Sequence, residues 1–295
     1  MSTLQGLAPP APDCDPPLRD PSPAARPLPS GSCDTHFHVF GPAARYPMDP
    51  RRGYTPHEAG LDDYRRVMRA LGIERGVIVQ PSVYGTDNRA TLDALRAGGE
   101  AFRAIVVPAA DIGDDELAQM HELGVRGIRL NLLNRQMVGV DAALAVLARM
   151  AGRGWHLQVL TDLGRDPDAL GRLCEQAGVP VVVDHMGKLA PSTRRHPLMD
   201  RLADGSCWVK LSAPYRVSAE ASPHDDLTGL ARALAEANPE RVVWGSDWPH
   251  TELHEGTPSA ASLAALVHRW FPDEALCRQI CVTNPARLYG FAVAG

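Results

Sequence analysis

The stretch Asp34-Thr35-His36-Phe37-His38 is the starting point for interpreting this chain, and the apolar residues Val39 and Phe40 follow it. In a β-strand, side chains alternate between the two faces, so His36 and His38 are expected to point to the same side. Two neighbouring imidazoles at a strand end can hold a metal ion, or they can polarise a carbonyl group together. The simpler interpretation is a buried strand whose histidines are only hydrogen-bonded, and the rest of the chain has to decide between the two.

Beyond this stretch, short apolar runs alternate with amphipathic segments. The apolar runs are rich in Val, Ile and Leu, which is typical of strands buried on both faces. Strands are predicted at residues 32–39, 76–81, 102–108, 127–132, 155–161, 180–185, 207–212 and 241–247. Helices are predicted at residues 61–71, 88–98, 114–123, 140–152, 166–177, 195–203, 225–237, 258–270 and 273–282.

This alternation predicts an α/β fold, the (β/α)8 TIM barrel. The alternative is a doubly wound open sheet, which normally has a glycine-rich phosphate loop after its first strand. The sequence HFHVFG at residues 36–41 is not such a loop. The barrel is therefore the preferred prediction.

Composition excludes several classes of protein. The chain has 295 residues, 44% of them hydrophobic, and a net charge of -5, so a nucleic-acid binder with a basic face is not expected. No apolar run reaches about 18 residues, so no membrane span is predicted, and the N-terminus lacks the apolar core of a secretory signal. The six cysteines form no CxxC pair, which favours free thiols and a cytoplasmic location.

The N-terminal segment differs from the rest of the chain. Residues 1–30 contain nine prolines and few large apolar residues, so they cannot form a helix interior or a central strand. We predict a proline-rich arm at residues 1–31 and a single barrel domain at residues 32–295. The arm is expected either to pack across the barrel surface or to be a loose tail.

Polar and charged residues stand where the predicted strands end. In a barrel of this type the chemistry lies at the C-terminal ends of the strands. Asp247, at the end of the last strand, can act as a general base towards water, while histidines stabilise an oxyanion directly or through a metal. Arg129, Arg135 and Arg216 can bind carboxylates, because the guanidinium fork matches their geometry.

Six motifs of this chain together resemble the amidohydrolase superfamily, in the branch that contains 2-pyrone-4,6-dicarboxylate lactonases. They are DTHFHVFG, VIVQPSVYGTDN, GIRLN, VVVDHMGK, VVWGSDWPH and VTNPARLYG, and they span residues 34–290. The resemblance implies that His36, His38 and His185 polarise a carbonyl and that Asp247 activates water. It also implies substrate contacts at the positions Ser82, Arg129, Arg135 and Arg216. Lys188 stands where the branch has an arginine, and Tyr84 where it has a histidine, so both are predicted to contact substrate.

The cofactor prediction follows from the strand ends. A binuclear site needs a bridging ligand at the end of the fourth strand, and Arg129 and Asn131 cannot supply one. One zinc or manganese ion held by three histidines and Asp247 is chemically reasonable. The nearby arginines would repel a bound cation. We therefore expect no metal, and a single divalent ion is the alternative.

The function predicted from the sequence is hydrolysis of a small anionic lactone. Candidate substrates are carboxylated lactones of the pyrone-dicarboxylate, muconolactone or sugar-acid type, in aromatic or sugar-acid catabolism. A first alternative is decarboxylation of an aromatic acid on one divalent metal. A second is a barrel that binds a carboxylate without turning it over, but that would require a missing base, whereas Asp247 is present.

Overall fold

A computed structural model describes residues 11–133 and 138–292 of the chain. Eight strands of the described part form a single sheet, in the order in which they occur along the chain. They are β1 (Cys33–Phe37), β2 (Arg75–Val79), β3 (Phe102–Val106), β4 (Val125–Asn131), β5 (His156–Leu160), β6 (Val181–Val183), β7 (Cys207–Leu211) and β8 (Val242–Trp244). All neighbouring pairs from β1 to β8 are parallel.

Helices separate the strands and cover the outside of the sheet. They are α1 (Leu61–Leu71), α2 (Arg89–Gly98), α3 (Asp114–Leu123), α4 (Val140–Arg149), α5 (Ala169–Ala177), α6 (Pro197–Ala203), α7 (Thr228–Ala237), α8 (Ala260–Trp270), α9 (Glu274–Arg278) and α10 (Asn284–Tyr289). Gly72, Gly124 and Gly178 end α1, α3 and α5 with a positive φ, as their sequence positions indicate.

The sheet closes between its first and last strands through the residues that follow β8. The amide of Asp247 donates to the carbonyl of His36, and the amide of His38 donates to the carbonyl of Trp248, both at 2.8 Å. Phe37 and Trp248 form a parallel bridge between the two segments. The predicted (β/α)8 barrel is thereby confirmed, and its closure places Asp247 beside the two histidines of β1.

The C-terminal region is more helical than predicted. The expected helix at residues 273–282 is divided into α9 and a π-helical turn at Gln279–Thr283, and α10 continues directly from it. Pro285 lies in the first turn of α10, where the missing amide hydrogen costs no helical hydrogen bond. The proline in this motif therefore starts a helix, although we had placed the last helix before it.

The described part of the proline-rich arm, residues 11–31, lies against the barrel. Ala24 and Leu28 donate their amides to the carbonyls of Ala70 and Leu71 at the end of α1, at 2.9 and 3.0 Å. The side chain of Leu28 is buried. Residues 11–31 therefore pack against the barrel, which is the first of the two expectations for the arm. The boundary between arm and barrel at residue 31 stays a prediction.

The six cysteines are free thiols. Within residues 11–133 and 138–292, no helix combines the length and the apolar character that a membrane crossing requires.

Candidate active site

Three imidazoles converge on one carboxylate oxygen at the C-terminal end of the barrel. The Nε2 atoms of His36, His38 and His185 lie 3.5, 3.7 and 3.9 Å from Oδ1 of Asp247. All four side chains are buried. Neither Asp247 Oδ1 nor His36 Nε2 has a hydrogen-bond partner. The four residues predicted to be catalytic are therefore brought together around a single point.

The backbone at these positions is unusual. Asp247 has a φ of 58° and His185 a φ of 51°, in the left-handed region that residues with a side chain rarely adopt. The hydrogen bond from the Asp247 amide to the His36 carbonyl holds Asp247 in this conformation. Such strained positions persist only where the surrounding structure over-determines them, and they cluster at functional sites.

The second oxygen of Asp247 is fully engaged. Tyr215 Oη donates to Asp247 Oδ2 at 2.5 Å, and Arg216 Nε donates to the same atom at 3.1 Å. Arg216 in turn donates to Glu252 at 2.5 Å and to the Thr251 carbonyl at 2.6 Å. Tyr215 and Arg216 follow β7, so the segment after that strand orients the carboxylate and leaves Oδ1 facing the imidazoles.

The remaining ring nitrogens of the three histidines bind groups of the barrel. Nδ1 of His38 lies 2.7 Å from the carbonyl oxygen of Val79 at the end of β2. Nδ1 of His185 lies 2.8 Å from Oγ of Ser212, which directly follows β7. Nδ1 of His36 lies 3.3 Å from Oδ1 of Asp184. These contacts orient each ring so that Nε2 faces the common point.

A buried charged network lies beneath the histidines. The ammonium group of Lys210 donates to the Thr35 carbonyl at 2.8 Å and to Gln158 at 2.7 Å, and it lies 3.7 Å from Asp184 Oδ1. Gln158 also donates to Asp184, at 3.1 Å. Since an isolated buried charge is costly, this pairing explains how the barrel tolerates both a lysine and an aspartate.

The pKa values separate the acid from the bases. Burial alone would raise the pKa of Asp247, but the neighbouring His185 and Arg216 hold it well below its ordinary value. Burial lowers the pKa of His185 to about 4, against the opposing effect of the Asp247 and Asp184 carboxylates. Burial also lowers the pKa of His36 well below its ordinary value. Near neutral pH the site therefore contains an ionised Asp247 beside neutral His36 and His185.

Comparison with known sequences identifies the family. The sequence model described as Amidohydrolase matches residues 33–291. The chain belongs to this family. The resemblance drawn from the six motifs is thereby confirmed, and the positions of the motifs correspond to the site just described.

Several proteins with named activities are similar to this amidohydrolase. It is 37% identical to a 4-sulfomuconolactone hydrolase from Rhizobium radiobacter, over 95% of this chain and 96% of that protein. It is 33% identical to a D-galactarolactone isomerase from Agrobacterium fabrum, over 91% and 93% of the two chains. A probable 2-pyrone-4,6-dicarboxylic acid hydrolase from Acinetobacter baumannii, solved with citric acid bound, matches with a TM-score of 0.77 and 26% identity, over 88% of this chain and 100% of that one.

The decarboxylase alternative has weaker parallels. Structures of a 5-carboxyvanillate decarboxylase and a 2,6-dihydroxybenzoate decarboxylase match at 13% and 15% identity. Similarity at this level shows that the fold is shared and nothing further.

The donor set of this amidohydrolase fits one divalent cation. His36, His185 and Asp247 offer ligand atoms that all lie within 4.8 Å of one another, and His38 Nε2 faces the same point. Imidazole nitrogen and carboxylate oxygen are ligands that zinc accepts in a tetrahedral site. The unpartnered His36 Nε2 and Asp247 Oδ1 are the atoms that a cation, or a shared proton, would satisfy.

The residues predicted to bind substrate have different surroundings. Arg129 is buried in β4, where it donates to the Gln80 carbonyl at 3.0 Å and lies 3.8 Å from Asp184. Ser82 and Lys188 are partly exposed after β2 and β6. No hydrogen bond or ion pair joins the Lys188 side chain to another described residue. Arg135 lies outside the described residues.

Two of these residues already have partners within the protein, and their contacts with substrate stay predictions. The three nitrogens of Arg216 donate to Asp247, Glu252 and Thr251. Tyr84 is buried, and its hydroxyl accepts from the amide of Gly41 at 3.2 Å. Its polar atom is thereby used within the loop that follows β1.

Two tyrosines of the site were not among the predicted site residues. Tyr215 follows β7, but no motif of the sequence marks it as a partner of Asp247. Tyr54 lies in the long loop after β1, where it is buried. Burial, assisted by the Glu252 carboxylate, raises the pKa of Tyr54 to about 12, and the nearby side chains of Ser82 and Thr251 oppose the rise. Its neighbours come from three loops, so no local pattern could have indicated it.

Proposed function

We propose that this amidohydrolase opens a carboxylated lactone by hydrolysis. The observation that carries the proposal is the single unpartnered oxygen of Asp247, which three imidazoles surround in a buried site. A water molecule bound at this oxygen would be aligned for attack on a carbonyl held against the imidazoles. The named relatives act on lactones, and this supports a cyclic ester as the substrate class.

The reaction proceeds in two stages. Asp247 Oδ1 accepts a proton from water while the hydroxyl adds to the lactone carbonyl carbon, and an imidazole N–H stabilises the oxygen that becomes negative. The tetrahedral intermediate then collapses, the bond between the carbonyl carbon and the ring oxygen breaks, and that oxygen takes the proton back from Asp247. Tyr215 and Arg216 hold Asp247 Oδ2 throughout.

The substrate's anionic groups bind at the rim. Lys188 lies after β6, and its side chain has no hydrogen bond or ion pair with another described residue. Ser82 and Tyr54 offer hydroxyls near Arg129. Arg135, which follows β4 in the sequence, is proposed as a further carboxylate contact. Tyr84 and Arg216 are proposed as further contacts; the Tyr84 hydroxyl accepts from the amide of Gly41 and keeps its own hydrogen to donate.

A bound divalent ion would act as a Lewis acid that polarises the carbonyl. We propose that the reaction does not need one. Arg216, Lys210 and Arg129 already lie close to the two site carboxylates. These cations offset the charge of Asp184 and Asp247, so an imidazole N–H can stabilise the developing oxyanion without a metal.

The deciding experiment follows product mass. Purified protein is incubated with 2-pyrone-4,6-dicarboxylate, 4-sulfomuconolactone, a muconolactone and D-galactarolactone, and the products are analysed by mass spectrometry. A product heavier by one water molecule supports hydrolysis. A product of unchanged mass indicates lactone isomerisation, in which a substrate hydroxyl replaces water. In a parallel incubation with an aromatic acid, release of carbon dioxide indicates decarboxylation.

Asp247→Asn is the matched variant for this assay. Asparagine has the same shape as aspartate, but its amide cannot act as a base. Turnover should therefore fall by about a thousandfold or more. The variant should remain folded by circular dichroism. Substantial residual turnover would contradict the assignment of Asp247 as the base, and no turnover of any lactone by the unmodified chain would contradict the proposed function.

A further inference from the structure

Residues 11–16 of the proline-rich arm, called the strap below, cross the rim of the active site. On one side the strap pairs with the loop after β1. The Thr55 amide donates to the Pro12 carbonyl at 2.8 Å, the Cys14 amide donates to the Thr55 carbonyl at 2.9 Å, and Thr55 Oγ1 donates to the Ala11 carbonyl at 3.0 Å. Thr55 directly follows Tyr54, so this pairing fixes the segment that carries the buried tyrosine.

On its other side the strap binds the loop after β8. The Asp15 amide donates to the Leu253 carbonyl at 2.8 Å, and the Glu252 amide donates to the sulfur of Cys14 at 3.3 Å. Nδ1 of His254 lies 2.8 Å from the Asp13 carbonyl oxygen. Cys14 is itself buried between the two loops. The strap therefore joins two loops that are separated by about two hundred residues in the chain.

Both loops lead directly to the reacting groups. Glu252 and Thr251 bind the guanidinium group of Arg216, which holds Asp247 Oδ2. The Tyr54 hydroxyl lies near Ser82 and Thr251, whose side chains lower its pKa against the effect of burial. A shift of either loop would move Tyr54 away from Ser82, or would loosen Arg216.

We propose that the strap is a positioning element of the substrate-binding site, which holds the Tyr54 loop and the Glu252–Arg216 pair at the spacing that an anionic lactone requires. This inference rests on the proposed function. It assigns a role to the proline-rich arm, whose sequence alone predicted no function. Pro12 and Pro16 suit this role because they limit the conformations of the unbound segment, so less entropy is lost when it docks.

The test compares the intact chain with a truncation that removes residues 2–16. KM for a carboxylated lactone should rise about tenfold, which is the effect of losing one or two hydrogen bonds in the bound state, while kcat changes much less. Arg26→Ala is the matched control, because Arg26 lies on the same arm and forms an exposed ion pair with Glu274, at 2.8 Å, outside the strap. The control should leave KM unchanged.

A second variant protects the test against a truncation that fails to fold. Replacing Cys14 and Thr55 together by alanine removes two side-chain contacts of the strap and keeps the full chain. Its KM should also rise. A folded truncation and a folded double variant that both keep the KM of the intact chain would overturn the proposal.

Hydrogen exchange of the intact protein gives an independent result. The amides of Cys14, Asp15 and Thr55 should be protected, because each donates to a carbonyl across the strap. Rapid exchange at these amides would show that the strap is not docked and would overturn the proposal whatever the enzyme does. Protected amides in a chain that opens no lactone would instead contradict the proposed function while leaving the docking of the strap supported.

Discussion

At the scale of single residues, the three site histidines differ in which nitrogen carries hydrogen. The carbonyl of Val79 can only accept a hydrogen bond, so Nδ1 of His38 must be the donor. Nδ1 of His36 faces Asp184, whose pKa lies below its ordinary value because His36 and Lys210 outweigh the effect of burial. A neutral imidazole has one N–H, so His36, whose pKa burial lowers, holds a lone pair on Nε2 when Nδ1 carries the hydrogen.

His185 has a partner of another kind. The hydroxyl of Ser212 can donate as well as accept, and His185 Nδ1 is its hydrogen-bond partner among the described side chains. If Ser212 donates to Nδ1, the hydrogen of His185 is on Nε2, where it faces Asp247 Oδ1 at 3.9 Å. In this arrangement the hydrogens of Ser212 and His185 each face an atom that carries a lone pair. We therefore infer that His185 is the neutral imidazole that donates to the lactone carbonyl.

Replacing Ser212 tests this assignment. Ser212→Ala removes the donor to Nδ1, so the Nε2–H form of His185 loses its advantage, and kcat should fall about 10- to 100-fold with little change in KM. Ser212→Thr keeps the hydroxyl and should restore most of kcat. Nitrogen-15 chemical shifts of the His185 ring identify the tautomer in each variant, and an unchanged ring spectrum together with an unchanged kcat in Ser212→Ala would refute the assignment.

Metal removal is the second prediction at this scale. We expect lactone opening to persist after dialysis against a chelator, because Asp247 is the one carboxylate in the described group that could ligate a metal, and Arg216 already neutralises it. Elemental analysis of the same samples provides the control. If the protein contains stoichiometric zinc or manganese, and if activity is lost on chelation and restored by the ion, then a metal and not His185 polarises the lactone carbonyl.

At the scale of elements, the turn that follows β6 determines where His185 points. His185, Met186, Gly187 and Lys188 all have positive φ values, between 51° and 65°. Only glycine adopts this conformation without strain. A Cβ atom on Gly187 would also lie 2.8 Å from a methyl carbon of Leu163, which is buried. This turn is therefore both strained and tightly packed.

Substituting Gly187 should cost more than substituting a glycine with similar torsion angles in open space. Gly187→Ala is expected to lower the free energy of unfolding by about 2–4 kcal/mol, through strain and overpacking together. Gly178→Ala is the matched control, since φ is 61° there and no atom lies within 4 Å of the added carbon. It should cost only about 1 kcal/mol. Urea unfolding measures both, and equal losses would show that contact with Leu163 is unimportant.

At the scale of the whole molecule, burial of histidines determines how the protein responds to acid. The pKa values of His156, His185 and His250 are lowered to about 3, 4 and 4, in each case mainly by burial. Unfolding exposes these rings and returns them to about 6.5. Between pH 6.5 and 4 the unfolded chain therefore binds more protons than the folded one, so the protein loses stability as the pH falls through this window.

One buried acid acts in the opposite direction. Burial raises the pKa of Asp34 to about 6, so the folded protein holds a proton there between about pH 6 and 4 and gains some stability on acidification. A single carboxyl offsets only part of the effect of three imidazoles. The free energy of unfolding, measured in urea at pH 7 and pH 5, should fall by about 1 kcal/mol or more. His156→Phe should weaken this dependence, and equal stability at both pH values would contradict the argument.

The sequence by itself determined the barrel and the residues around its reacting point. Continuous apolar runs alternating with amphipathic segments predict buried parallel strands, whose ends meet at one rim. His36, His38, His185 and Asp247 were therefore expected at that rim, and the family resemblance implied the roles proposed for them. These residues stand at the ends of periodic elements, or directly after them, and periodicity is a local property of the chain.

Only the tertiary structure decided how those groups are partnered. The bond of Tyr215 to Asp247, the engagement of Arg216 by Glu252, the contact of Ser212 with His185 and the docking of the strap all join segments that are distant in sequence or lie in irregular loops. Loop conformation depends on which surfaces meet after the barrel closes, and no repeating pattern records it. The reacting groups were therefore visible in the sequence, while the contacts that orient them become apparent only when the folded loops are in place.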